Sequence, residues 1–205
     1  MFPTVEVRWF HKGVMPDDVI SKILSNDQKL IEQPLRKDHY YHKTSDSTMG
    51  IKIREGRIEI KSRSDDYGNV KFNEQIEGRV EHWQKWSFNI EETDLNYRDV
   101  LEKTSSWIGI TKERKLYRYR ICDNHLSILS ENEYSEMVCH FELTNINIRG
   151  AAWWSLAFEA YGEGNQLLNN LVLTVKHVFS DIDLPLFNIN NSFSYPKWLG
   201  LFLRS

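Results

Sequence analysis

From residue 4 onward the chain repeatedly alternates apolar with charged side chains at a period of two, a pattern that a β-strand sorts into two unlike faces. In the first such run Val5, Val7 and Trp9 fall on one side, and Thr4, Glu6 and Arg8 on the other. Ile51 and Ile53 likewise oppose Lys52 and Arg54. Ile58 and Ile60 oppose Arg57, Glu59, Lys61 and Arg63; Phe141 and Leu143 oppose His140, Glu142 and Thr144; Phe158 and Ala160 oppose Glu159. The patterning predicts strands over residues 4–10, 39–44, 49–55, 57–63, 79–88, 113–121, 137–148 and 152–161. Glu55-Gly56 between two alternating runs signals a tight hairpin, and Asn147 to Ala151 with Gly150 a second, so sequential strands should pair antiparallel.

Helical spacing is confined to a few places. One helix is expected from Pro16 to about Glu32, with Asp17 and Asp18 in its first turn and Val19, Ile20, Ile23 and Leu24 on one stripe. Another is expected from about Asn165 to Ser180, where Leu167, Leu168, Leu171, Val172, Val175 and Phe179 form an apolar face able to cover a sheet. A shorter helix is expected over Thr93 to Trp107. No repeat and no Pro/Gly/Ser linker divides the 205 residues, so residues 1–205 read as a single α+β domain, a mostly antiparallel eight-stranded barrel with a few flanking helices.

A charged face on strand after strand admits two readings. It is the solvated side of an open sheet, available for protein interaction, or it is the lining of a sheet closed on itself with its apolar face under the helices. The polar positions favour closure, because they hold long charged side chains of both signs where a solvated face would carry more Ser, Thr and Gln. Arg8, Lys52, Arg54, Lys61, Arg63, Lys85, Arg114, Arg118 and Arg120 stand beside Glu6, Glu59, Glu142 and Glu159. Charges taken out of water need partners or a charged guest, and the excess of cations favours an anion. The arginine fork suits phosphate oxygens, while the glutamates offer oxygen ligands to Mg²⁺ or Mn²⁺.

These residues resemble the triphosphate tunnel metalloenzymes, the CYTH-like superfamily, over most of the chain. The family's opening ExExK strand has its counterpart in Thr4-Val5-Glu6-Val7-Arg8. Its basic hairpin corresponds to Gly50 through Lys61, followed by Arg118-Tyr119-Arg120, by His140-Phe141-Glu142-Leu143-Thr144 and by the tail Ser194-Tyr195-Pro196-Lys197-Trp198-Leu199. The resemblance implies a tunnel-like barrel of eight strands acting on a triphosphate-containing small molecule with Mg²⁺ or Mn²⁺. It implies that Arg8, Lys52, Arg54, Lys61, Arg118 and Arg120 grip phosphates, and the charged face adds Arg63, Lys85 and Arg114 as candidate anion ligands. Glu6, Glu142 and Glu159 would hold metal, with Glu6 and Glu142 central to hydrolysis. Thr4 and Thr144 depart from the pattern, each standing where a carboxylate is expected, and a neutral hydroxyl cannot replace a charged ligand. The alternative is therefore a non-catalytic barrel that binds a phosphorylated ligand or an acidic partner.

The remaining signals exclude more than they assign. A net charge of -3 argues against a nucleic-acid polymer as partner. The absence of a charged-then-apolar leader and of a long apolar run makes a cytoplasmic, membrane-free protein the expectation. Cys122 and Cys139 lack a CxxC or Cys/His context and read as ordinary thiols. His39 and His42 point to opposite sides of a strand, which suits no shared metal, and Trp83, Trp86, Trp153 and Trp154 read as packing residues. No Walker A loop, GxGxxG or GxSxG is present.

Overall fold

A computed structural model describes residues 2–24, 29–42, 46–90, 101, 104–122, 125–162, 166–180 and 186–204. Its nine strands are β1 (Phe2–Lys12), β2 (Ile31–Tyr41), β3 (Met49–Arg54), β4 (Arg57–Lys71), β5 (Glu77–Asn89), β6 (Trp107–Cys122), β7 (His125–Leu129), β8 (Val138–Ile148) and β9 (Ala151–Tyr161). Eight of them close into a ring in the order β2-β3-β4-β5-β1-β9-β8-β6, with β6 returning to β2. Every pairing is antiparallel, and β7 is an extra strand on the part of β6 that runs past β2. The helices bounded within the described residues are α1 (Asp17–Ile23), α2 (Leu167–Val178) and α3 (Tyr195–Phe202). No helix among the described residues is long and apolar enough to cross a membrane.

Both expected hairpins form, and their backbone shows why. Glu55 and Gly56 take φ of 48° and 71°, and Arg149 and Gly150 take 50° and 82°, so both central residues of each turn are left-handed. That turn twists in the sense that flanking strands require, and its second position is glycine both times.

Several elements differ from the sequence expectation. The first helix stops at Ile23 instead of running to Glu32, because Ile31 and Glu32 already pair with β6. For the same reason β2 starts at Ile31, not His39. β4 continues to Lys71, since its pairing with β5 survives register shifts at Arg63/Asp65 and Asp66/Gly68, bulges that break the alternation without ending the ladder. Trp107, expected to close a third helix, opens β6; residues 93–100 and 102–103 of that expected helix lie outside the described residues. β7 and α3 were not legible from alternation or apolar spacing.

The apolar outer face of β1, β8 and β9 is covered by α1 and α2. Val5, Val7, Trp9, Phe141, Leu143, Leu156 and Phe158 pack with Val19, Ile23, Leu167, Leu171, Val175 and Phe179. Each such side chain, fully buried, contributes about 1.5–3 kcal/mol. A second cluster occupies the barrel itself. Phe10, Ile110, Ile146 and Ile148 continue the inward positions of Arg8, Lys112 and Thr144, and α3 packs Trp198 and Leu199 onto them. The Trp198 indole lies parallel to the Phe10 ring at 4.5 Å. The segment leading to α3 is fastened where β1 and β5 part: the Ser192 hydroxyl donates to the Arg8 carbonyl and accepts from the Arg79 amide, and the Phe193 amide donates to the same carbonyl. The barrel is thereby plugged at one end.

Candidate functional site

Between the plug and the far end lies a cavity of about 290 Å³. It is lined by inward positions of the strands and by Ser194, Tyr195 and Pro196 at the start of α3. Of the residues expected to face a guest, Glu6, Arg8, Lys52, Arg54, Lys61, Lys85, Arg114, Glu142 and Glu159 all line it. Three do not. Arg63 turns to Glu81 and Asp66. The Arg118 guanidinium donates to the carbonyls of Ser130 and Glu131, and Arg120 is exposed and bonds Ser127. Both sit on the length of β6 that runs past β2 and takes β7 on that edge while still paired with β8, so period-two alternation there does not lead into the cavity.

The wall built by β1, β8 and β9 with Arg114 of β6 is balanced in charge. Arg8 donates to Glu142 Oε2 and to Ser155 Oγ, both at 3.1 Å, and Arg114 reaches Glu142 Oε1 at 2.7 Å. Burial works against ionisation of Glu142, but the two guanidiniums outweigh it and hold the carboxyl at about 2. Lys61 extends from β4 to the same wall, where its ammonium bonds Glu6 and, at 2.6 Å, Glu159. With one ammonium between two carboxylates, burial and the neighbouring Glu159 push Glu6 upward, while Lys61 carries Glu159 well below the usual range. Thr4, standing where a further carboxylate was expected, is fully buried and donates its hydroxyl to Glu6 Oε1 at 2.9 Å.

The opposite wall, running from β6 through β2, β3 and β4 to β5, is not balanced. Asp38, fully buried, has Lys112 Nζ at 3.1 Å, Arg36 Nε at 3.5 Å and Lys52 Nζ at 4.0 Å. Glu59 has Lys52 at 2.9 Å, Lys85 at 3.2 Å and Arg54 in contact. Five cations therefore share two carboxylates. Both acids are held at about 2 against the opposing effect of burial, Asp38 by Lys112, Lys52 and Arg36, and Glu59 by Lys52 and Lys85 in the main. The cations fare differently, because none has a carboxylate to itself. Burial drives Lys52 and Lys112 down to about 7 and lowers Arg36 as well, with repulsion from neighbouring cations adding to each shift. Arg36 Nη2 and Arg114 Nε are buried donors without a hydrogen-bond partner among the described residues.

Sequence reasoning missed Arg36, Asp38 and Lys112 because the strands expected at 39–44 and 113–121 began too late. Carrying the alternation back from Tyr40 to Asp38, and from Arg114 to Lys112, would have found two of them. Tyr195 was seen only as part of a tail motif; its ring forms the floor, 3.9 Å from Lys112 Nζ and 4.9 Å from the Arg8 guanidinium carbon.

The carboxylates do not fit a divalent cation as they stand. Glu6 and Glu159 close on the Lys61 ammonium, Glu142 is gripped by two guanidiniums, and no three His, Cys, Asp or Glu side chains converge as ligands among the described residues. His39 and His42 form no such group either. No model of a known protein family matches the chain, and no curated protein is similar to it in sequence.

Proposed function

We propose that the barrel is a binding site for a compact polyanion, a phosphorylated small molecule of the triphosphate kind, held without a structural requirement for metal. One observation carries the reading: in a chain of net charge -3, a wall of five cations sharing two carboxylates faces the cavity. A surplus of buried positive charge costs several kcal/mol unless a counter-anion offsets it. Arg36 and Arg114 add unpartnered donors of the type that phosphate oxygens accept. About 290 Å³ has room for a short phosphate chain. The eight-stranded barrel is also the architecture expected from the resemblance to triphosphate tunnel enzymes.

Binding is preferred to hydrolysis because the three glutamates expected to hold Mg²⁺ or Mn²⁺ already hold protein cations. The test combines calorimetry of inorganic triphosphate with an assay of phosphate release in Mg²⁺ or Mn²⁺. Binding without metal that Arg54→Ala weakens, with no phosphate released, supports a binding barrel. Metal-dependent release abolished by Glu6→Gln would replace it with the hydrolytic reading, and no binding in any condition would refute both.

A further inference from the structure

The cationic wall crowds three lysines and two arginines around two carboxylates. Asp38 is the shared counterion of two lysines and an arginine, and the two lysines approach it from different strands, Lys112 from β6 and Lys52 from β3. Lys112 further meets the Tyr40 hydroxyl of β2 at 2.6 Å and the Tyr195 ring of α3, with Arg114 on its own strand and Arg8 of β1 nearby. Lys52 meets Glu59 of β4, which it shares with Arg54 and with Lys85 of β5. Two largely buried ammoniums thus compete with two guanidiniums and a third lysine for two carboxylates. An ammonium is the member of this set that can relieve the crowding by losing a proton; a guanidinium cannot.

Resting on the anion-binding reading, we infer that the cavity takes up its polyanion together with protons from solvent, accepted by Lys52 and Lys112 beside Asp38, so that affinity falls as pH rises above neutrality. In the empty cavity near pH 7 both lysines are partly neutral, in line with the depression of each to about 7 by burial and by neighbouring cations. An anion laid against the wall adds the negative charge the lysines lack. Each lysine's proton affinity then rises towards its ordinary range, and each becomes a full cation on binding. The consequence is selectivity by charge: a ligand with three or more negative charges fills both lysines and gains two cations, whereas a monoanion is satisfied by the permanent arginines.

The experiment is calorimetric titration of inorganic triphosphate at pH 8 in buffers of differing ionisation enthalpy, on the parent and on Lys52→Arg/Lys112→Arg. The arginines keep the charge and cannot release it, and the ligand's own protonation cancels in the comparison. The parent is expected to absorb between one and two more protons per triphosphate than the variant, and its Kd to weaken relative to the variant by up to about tenfold per pH unit per lysine between pH 7 and 9. Equal proton numbers with binding retained would overturn the inference while leaving the anion site standing; absence of binding in the parent would remove the site itself. Lysine ¹³Cε shifts of the parent, titrated empty and loaded, test the same point without a substitution. Two resonances titrating near neutrality only in the empty protein support it, and none doing so overturns it.

Discussion

Replacing Glu142 with Gln should make the protein less stable and its anion affinity higher, two opposite effects from one change. Glu142 is 2 % exposed and is the only carboxylate ion-paired with Arg8 and Arg114 among the described residues. Gln keeps the shape but removes the charge, leaving two buried guanidiniums without a counterion. Removing one partner of a buried pair costs about 3–5 kcal/mol, the upper half being expected here because two cations are orphaned. Urea unfolding reads that loss as a lower midpoint at unchanged slope. The same two guanidiniums become available to a ligand. Each charge-assisted bond is worth about 1.5–3 kcal/mol, of which the carboxylate now takes a share, so freeing one bond's worth tightens triphosphate binding about tenfold to a hundredfold at low salt. Calorimetry without divalent metal measures it. Saturating triphosphate should also recover part of the lost stability, since the ligand replaces the missing counterion. A Glu142→Gln protein that binds triphosphate more weakly than the parent would refute the reasoning and point to Glu142 as a ligand-contacting acid.

Two further outcomes follow from the packing and the titratable groups. Trp198→Ala removes the indole stacked on Phe10 and should cost about 3–5 kcal/mol by chemical denaturation, while Trp198→Phe should retain most of the stability; equal losses in both would mean that the plug does not rest on this stack. Asp38, Glu59 and Glu142 are held at about 2 in the folded chain, below their ordinary values, so the stability they contribute is present above about pH 4.5 and is lost as pH falls through 4 towards 2. Circular dichroism from pH 5 to 2 should show acid unfolding that Asp38→Asn, already destabilised at pH 6, undergoes with a smaller loss of stability over the same range.

The two faces of the strands were legible because alternation is local. The pairs Val5/Glu6 and Ile53/Arg54 declare their sides within two residues, and Glu55-Gly56 and Arg149-Gly150 declare their turns. Elements whose formation rests on distant partners were not legible. Ile31 and Glu32 lie within a helical pattern yet join β6, because a free edge of β6 is there to receive them. The tail containing Tyr195 and Trp198 has no periodicity that foretells a plug; its helix forms where an apolar barrel end, Phe10, Ile146 and Ile148, is there to bury it.

The same division governs the site. By itself the sequence determined that charged side chains of both signs would share one face of a mostly antiparallel sheet, since side-chain direction in a strand depends only on parity. It could not determine that β6 would close on β2, that Arg118 and Arg120 would fall beyond the closure, or that Lys61 would settle between Glu6 and Glu159. It also could not show that Asp38 would be left to serve Lys52, Lys112 and Arg36 together. Those outcomes depend on which strands become neighbours around the ring, and charge compensation in a closed cavity is a property of distances across it, which only the tertiary structure sets.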